Sequence, residues 1–388
     1  MGQKVPLSDL FKIGSSKRVL KSQWQKSGVP FYRGREITKL SQDGVVDNNL
    51  FITEELYAEY SAKYGVPSTD DIVITAIGTI GNSYIVRDED RFYFKDASVL
   101  WLKRTSDVES KYINLWLKSS LMRDQLDEGN GATVDTLTIK KLQGLTLDLP
   151  PIHEQKRIVS ILDTVFADLE QTRAKTEQNL KNARELFDSK KLSLFESLSN
   201  SSNLSPLPSV CDNILAGGDA PKKGLYSKEQ TEKFNIPIYA NAVKHNGLYG
   251  YTDYARANEP SITIAARGSG TGHIELRTEP FLPIVRLIVL TPNKEIISLE
   301  YLKHALQTLD ILRSGSAIPQ LTVPMVKEYS IPVPDLNVQR STVIELENLA
   351  LYIERIEAIY QEKLIAIDEL KKSILQKAFS GELTQTVE

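Results

Sequence analysis

Apolar residues recur at alternating spacings of three and four along two stretches of this chain. In the later stretch Leu346, Leu349, Ile353, Ile356, Tyr360, Lys363, Ile367, Leu370 and Ile374 form a heptad stripe. In the earlier one the same spacing reads Leu162, Val165, Leu169, Thr172, Thr176, Asn179, Ala183, Leu186 and Lys190, with a polar middle. Each stripe predicts a long helix that needs a partner, and the economical partner is the other helix. Both helices should begin where prolines stop a preceding strand, at Pro150-Pro151 and at Pro332/Pro334.

The remaining sequence mixes short apolar runs with Gly, Pro and Asn, a pattern of strands and loops. Strands are predicted at Asp71–Ala76, Ser98–Leu102, Ser261–Ala266 and Ile284–Leu290. Embedded helices are predicted from the Thr53 cap to Tyr64, ending at Gly65, from the Asp107 cap to about Leu126, and from Ser298 to about Leu312.

The chain also repeats itself. Adding 184 to Gly131, Leu137, Thr138, Pro150, Gln155, Leu162, Glu185, Leu186, Ser189 and Phe195 gives Gly315, Leu321, Thr322, Pro334, Gln339, Leu346, Glu369, Leu370, Ser373 and Phe379. Local matches extend the duplication: Pro30 and Tyr32 to Pro237 and Tyr239, and Ile72-Val73-Ile74 with Gly78 to Ile262-Thr263-Ile264 with Gly268. A period this long implies two equivalent domains rather than a solenoid, and a pseudo-twofold molecule.

Composition narrows the class. The 388 residues, 41% hydrophobic and 25% charged, are ordinary for a soluble globular protein of two to four domains. A lone Cys211 forms no internal disulfide and reads as a small buried residue in a reducing, cytoplasmic setting. The start carries no signal-peptide stretch, and nothing predicts a membrane span.

Net charge of −3 argues weakly against nucleic acid, yet Lys12, Lys17, Arg18, Lys21, Lys26, Arg33, Arg35 and Lys39 cluster against the single acid Glu36. The flanking averages are neutral, with 20 basic and 20 acidic residues in 1–150 and 13 of each in 201–335.

Catalytic signatures are missing. Gly268-Ser269-Gly270-Thr271-Gly272 lacks the Lys of a nucleotide-phosphate loop, and Leu149-Pro150-Pro151-Ile152 lacks the polar and aromatic ends of an amino-methyltransferase tetrapeptide. His153, His245, His273 and His304 are scattered, with no metal spacing. Asp70-Asp71 stands where a nuclease carboxylate could sit, but no Glu-x-Lys or Asp-x-Lys partner follows. The chain is therefore expected to hold no metal or cofactor.

What remains is a matched pair of glycine loops. Ala76-Ile77-Gly78-Thr79-Ile80-Gly81-Asn82 corresponds to Ala266-Arg267-Gly268-Ser269-Gly270-Thr271-Gly272-His273. Glycine lets backbone approach a surface closely, and exposed N–H groups beside Thr, Ser, Asn and Arg suit phosphate and base-edge hydrogen bonding. A second pair, Gly129-Asn130-Gly131-Ala132-Thr133 and Ser314-Gly315-Ser316-Ala317-Ile318-Pro319-Gln320, reads equally well as structural. Candidate DNA-contacting residues are Lys17, Arg18, Arg33, Arg35, Thr75, Gly78, Thr79, Gly81 and Asn82 in the first half. In the second they are Asn241, Lys244, His245, Arg267, Gly268, Ser269, Thr271, His273 and Gln320.

A variable unit, then Leu149-Pro150-Pro151-Ile152-His153-Glu154-Gln155-Lys156-Arg157-Ile158 and a long helix, then a second variable unit, Ile331-Pro332-Val333-Pro334-Asp335-Leu336-Asn337-Val338-Gln339-Arg340 and a helix ending Phe379-Ser380-Gly381-Glu382-Leu383, resembles the specificity subunit of Type I restriction-modification systems. The resemblance spans essentially the whole chain; Val338 departs from the Glu154 of the first junction. It implies an α+β fold in which two α/β target-recognition domains, 1–150 and 201–335, are separated by helices in 151–200 and 336–388 that form an antiparallel coiled coil. It also implies double-stranded DNA as ligand and, as partners, two methyltransferase subunits and restriction/translocase subunits. S-adenosylmethionine, ATP and Mg are expected in those partners. The competing expectation, favoured by the neutral charge, is a pseudo-symmetric coiled-coil scaffold without DNA readout.

Overall fold

A computed structural model describes residues 3–127, 136–310 and 320–382. The second glycine-containing pair lies outside these residues except for Gln320. Two compact units emerge: one of Met1–Thr176 with Glu362–Glu388, the other of Glu177–Gln361.

In the first unit nine strands are β1 (Gln3–Pro6), β2 (Phe11–Gly14), β3 (Val29–Tyr32), β4 (Phe51–Ile52), β5 (Ile72–Thr75), β6 (Ser83–Ile85), β7 (Tyr93–Phe94), β8 (Val99–Arg104) and β9 (Thr146–Leu149). They form a four-stranded sheet ordered β2-β8-β5-β6, a three-stranded sheet β4-β3-β7 and the pair β1-β9. The second unit has β10 (Leu204–Pro206), β11 (Cys211–Ala216), β12 (Ile236–Tyr239), β13 (Leu248–Thr252), β14 (Ser261–Ile264), β15 (Ile274–Arg277), β16 (Leu282–Pro283), β17 (Ile288–Pro292) and β18 (Ser330–Pro332). Its sheets, β11-β17-β14-β15, β13-β12-β16 and β10-β18, repeat the first arrangement strand for strand. Even the one parallel pairing recurs, Tyr32 beside Phe94 and Tyr239 beside Pro283.

The long helices run Ile152–Ser201 and Leu336–Phe379, each starting just past its proline stop. The matched glutamines weld each helix to its domain. Buried Gln155 accepts from the Glu109 N–H at 2.9 Å and donates to the Pro150 carbonyl at 2.8 Å. Gln339 accepts from the Ser298 N–H at 3.0 Å and donates to the Ile296 and Pro334 carbonyls, both at 2.9 Å. Every polar atom of these buried amides has a partner, as burial demands.

The helices pair antiparallel within each unit. Arg173 meets Asp368 and Lys371 meets Glu170 in the first; Arg184 meets Glu357 and Lys190 meets Glu345 in the second. The seam differs by half from the expected one. Leu162, Leu346, Ile353 and Ile367 are buried and Val165, Leu169, Leu349 and Ile374 half-buried, but Leu186 is 60% exposed, Leu370 48% and Ile356 38%. The alternate seam positions fall one residue later, at Phe166, Arg173, Leu180 and Phe187 and at Ala350, Glu357, Leu364 and Lys371, all buried or half-buried. Arg173, Glu357 and Lys371 are polar yet half-covered because their charges pair across the seam, so hydropathy alone pointed to the wrong neighbour.

Local differences have local causes. The helix expected to reach Leu126 is two, Ser110–Leu117 and Ser120–Asp127, with Glu109 rather than Asp107 at the cap position. The Ser119 hydroxyl donates to the Trp116 carbonyl at 2.6 Å and the Ser119 N–H to the same oxygen at 3.0 Å, closing the turn early. Thr308 does the same to Ala305, at 2.7 Å from its hydroxyl, and the helix begun at Leu299 ends at Leu306. The strand expected from Ile284 starts at Ile288 because Val285 and Arg286 take left-handed backbone, φ 54° and 60°.

Each core is closed by the helix of the opposite sequence copy. Phe379 lies at 5.0 Å from the Tyr112 ring in a core with Leu7, Phe11, Ile72, Leu102, Trp116 and Leu162. Phe195 lies at 5.3 Å from the Tyr301 ring in a core with Leu207, Ile262, Leu290, Leu302 and Leu346. Replacing Phe379 or Phe195 with Ala should cost about 3–5 kcal/mol each in the unit it enters. Urea unfolding followed by hydrogen exchange should show Phe379→Ala loosening Tyr112 and its neighbours while leaving Tyr301 protected. Equal loosening of both units would contradict this division.

Candidate nucleic-acid interface

The glycine loops connect β5 to β6 and β14 to β15 at equivalent places. Gly78 and Gly81 have φ of 78° and 88°; Gly268 and Gly272 have 79° and 86°. Around Gly78 and Gly268 a Cβ would meet nothing within 4 Å, so backbone sign rather than space demands glycine there. Each loop is tied to the next segment alike: the Leu137 N–H donates to the Ala76 carbonyl at 2.8 Å and the Leu321 N–H to that of Ala266 at 2.9 Å. Ile77 bridges to Thr136, and Arg267 to Gln320.

Within these loops, several candidate readers face inward. Thr75 is buried; its hydroxyl donates to the Thr79 carbonyl and accepts from the Asn82 N–H at 3.0 Å. Asn82 donates to the Thr38 hydroxyl at 3.1 Å, and buried Thr271 donates to the Gly268 carbonyl at 2.8 Å. Asn241 accepts from the Ala266 N–H at 2.8 Å and donates to the Val285 carbonyl. These side chains shape the loops. Ile77, Gly78 and Thr79 in the first, and Arg267 and Gly268 in the second, are exposed.

The first loop edges a cleft of about 620 Å³ lined by Arg33, Gly34, Arg35, Thr38, Lys39, Gln42, Ile77, Thr79, Lys95 and Ser98. Beneath it Glu36, 1% exposed, organises the arginines. Arg33, the N-cap of the helix Gly34–Asp43, donates to Glu36 through Nε at 3.1 Å, an Nη at 2.9 Å and its backbone N–H at 2.9 Å, so that Glu36 in the first turn ties down the helix start. Arg35 adds Nε at 2.9 Å. Burial alone would raise the Glu36 carboxyl, but the bonds from Arg33 and Arg35 outweigh it and hold the group below its ordinary range. Its contribution to stability is therefore complete above the ordinary carboxylate range and lost as pH falls through its lowered folded-state value.

The sequence signature of the Type I restriction modification DNA specificity domain matches this chain twice, over residues 3–180 and 205–363. The chain belongs to that family. It is 33% identical over 244 residues to the type I specificity subunit S.MpnORF89P of Mycoplasma pneumoniae, covering 56% of this chain and 67% of that protein. It is 26% identical over 297 residues to the EcoBI specificity subunit of Escherichia coli, covering 66% and 62%. The HsdS subunit from Thermoanaerobacter tengcongensis shares the fold, with a TM-score of 0.61 at 16% identity across 98% of this chain and 96% of that one. As a specificity subunit the chain is a non-catalytic component concerned with DNA target choice.

The other candidates scatter. Lys17 and Arg18 are exposed beside an aromatic group: the Lys17 N–H donates to the Tyr93 hydroxyl at 2.9 Å and its ammonium lies 5.7 Å from the Tyr64 ring. Lys244 and His245 are exposed, and His245 has φ 51°. His273 pairs with Glu275 at 2.8 Å, and Gln320 accepts from Arg267 at 3.0 Å.

Sequence reasoning did not name Thr38, Gln42, Lys95 and Ser98, which join Lys39 of the basic cluster and Ile77 of the first glycine loop in the cleft. It also missed Arg277, buried with its guanidinium 3.7 Å from the Tyr239 ring centre. Asp71 proves to be a staple rather than a nuclease carboxylate: buried, it accepts from the Ser68 N–H at 2.9 Å, Trp101 Nε1 at 2.9 Å and the Arg104 N–H at 2.8 Å. Among the described residues no group of three or more His, Cys, Asp or Glu could hold a metal, and no helix is long and apolar enough to cross a membrane.

Because Asn241 bridges two backbone segments, Asn241→Ala should cost about 1–3 kcal/mol of second-unit stability and shift the Ala266–His273 loop. Chemical denaturation with amide exchange checks this. Unchanged stability would mean that Asn241 is free to serve as a reader.

Proposed function

We propose that the chain reads a bipartite duplex target, each unit contacting one half-site through its glycine loop, and recruits two methyltransferase subunits and the restriction/translocase subunits to it. The observation that carries this reading is the repeated loop: the same glycine signs, the same tether to Leu137 and Leu321, on the same sheet. The exposed residues differ, Ile77 and Thr79 in one against Arg267 in the other, so the half-sites should differ in sequence. Near-neutral units contribute little to the phosphate attraction that dominates DNA affinity. Binding therefore requires the assembled complex, whose methyltransferase and translocase subunits supply S-adenosylmethionine, ATP and Mg in the cytoplasm.

Docking of partners is supported by an apolar stripe that the helix seam leaves uncovered. Tyr352 and Ile359 are 62% and 61% exposed, with exposed Ile356 between them and half-buried Leu349 one turn before, at heptad spacing. Leu186 and Leu370, equivalent positions of the two sequence copies, are both exposed. A scaffold without readout would need such a stripe too, but not the repeated loops.

Two outcomes follow for the assembled methyltransferase. Arg267→Ala with Ser269→Ala should relax one half of the methylated sequence, and Ile77→Ala with Thr79→Ala the other, since a base-edge contact carries about 1–3 kcal/mol of discrimination. Genomic methylation profiling reads both; loss of methylation at all sequences alike would assign the loops to backbone contact. Separately, Leu186→Glu and Leu370→Glu should each lower the number of bound methyltransferase subunits, with the chain's own melting unchanged because both side chains face solvent. Sedimentation mass decides, and full stoichiometry in both variants would remove this docking surface.

A further inference from the structure

Resting on that reading, we infer that the first unit recognises a guanine end-on through Arg33, held side-on by buried Glu36, and that the second unit has no equivalent at the corresponding positions. A guanidinium offers five N–H donors. Arg33 turns its Nε–H and one Nη hydrogen to the Glu36 carboxylate, at 3.1 and 2.9 Å. Among the described contacts its other terminal nitrogen has no protein acceptor. The remaining end of the fork presents the paired donors that fit the O6 and N7 acceptors of guanine in the major groove.

Glu36 makes this fork stiff. It sits in the first turn of the helix Gly34–Asp43 and binds the Arg33 backbone N–H at 2.9 Å, so the carboxylate is fixed before either arginine docks. Arg35 lies on the same Oε1, with an Nη 2.7 Å away, and reaches toward Asn49 at 3.4 Å. With both hydrogens of one Nη already directed at acceptors, Arg35 is the less suited to an end-on fork. Two arginines on one carboxylate leave net positive charge in a cleft that also holds Lys39 and Lys95. Glu36 acts as a positioning residue, and it lowers the entropy lost when a long side chain commits to one base.

The second unit departs at these positions. After the equivalent strand ends, Tyr32 and Tyr239, the chain reads Arg33-Gly34-Arg35-Glu36 in one unit and Ala240-Asn241-Ala242-Val243 in the other. A guanine requirement from this source falls on one half-site only.

The test uses the assembled methyltransferase complex. Methylation profiling gives the wild-type sequence, and competition with synthetic duplexes carrying 7-deazaguanine, which lacks the N7 acceptor, locates the guanine. The wild type should lose about tenfold in affinity at one guanine of the first half-site. Arg33→Lys keeps the charge but not the fork; it should lose that 7-deaza effect and accept other bases at that pair, with the second half-site unchanged. Glu36→Gln should relax the same pair, and because it can also disturb folding, Arg33→Lys is the deciding variant. Arg35→Lys should spare it.

If Arg33→Lys weakens all duplexes uniformly and keeps every base preference, Arg33 is a phosphate clamp and the inference is wrong. If the wild-type complex methylates no bipartite sequence, the half-site reading itself fails, a result separable from any effect at Arg33.

Discussion

The reciprocal exchange of helices is the constraint on which the rest of the molecule depends. Each sequence copy ends in a long helix, and the phenylalanine near that helix's end enters the core of the other copy's unit: Phe195 beside Tyr301, Phe379 beside Tyr112. Neither variable domain is complete without the other copy's helix. Antiparallel pairing of the two helices recurs within each unit. The ion pairs Arg173–Asp368 and Arg184–Glu357 fix its register where apolar residues are sparse. Partly exposed pairs of this kind contribute little stability each, so register rather than strength is their role.

This architecture separates folding from recognition. The residues that close each glycine loop, Thr75, Asn82, Asn241 and Thr271, spend their hydrogen bonds on backbone or neighbouring side chains. Of the exposed positions, Ile77 and Arg267 tie their loops to Thr136 and Gln320 through β-bridges. Left-handed backbone at Ala97 in the first unit, and at Val285 and Arg286 in the second, precedes β8 and β17 beside the loops. Non-glycine residues hold that conformation at a cost of about 1–3 kcal/mol, and such strain concentrates at functional sites. Its recurrence at corresponding turns matches the duplication of the two units.

Much of this was legible in the sequence, for identifiable reasons. Several residues retained by the duplication do a local job: Thr138 and Thr322 cap short helices, Pro150 and Pro334 follow strand ends, Gln155 and Gln339 weld helix to domain. Thr53 caps its helix and Gly65 ends it as turn chemistry requires. Two kinds of feature were not legible. The seam was half misread because Arg173, Glu357 and Lys371 sit where apolar residues were sought, while Leu186 and Ile356 satisfy the same periodicity from an exposed flank. The cleft was missed because Arg33, Ile77 and Lys95 meet only through the β3-β7 pairing and the β5 loop, contacts without any sequence period.

The two units hold their glycine loops in different ways. In the first, the Ala76 N–H closes its loop directly on the Ser98 carbonyl at 2.9 Å, and Gly34 leaves the cleft open. In the second, Asn241 stands at the place of Gly34 and bridges Ala266 to Val285 with its own amide. The loop is held equally in both, by backbone in one and by a side chain in the other. Asn241 follows β12 at the position that Gly34, between Arg33 and Arg35, holds after β3. The segment after β3 or β12 is hydrogen-bonded to the glycine loop in both units, Asn82 to Thr38 in the first and the Ala266 N–H to Asn241 in the second. Exchanging exposed residues alone would leave Asn241 bridging Ala266 to Val285, so transplanting a glycine loop between units requires moving with it the segment after β3 or β12 that supports it.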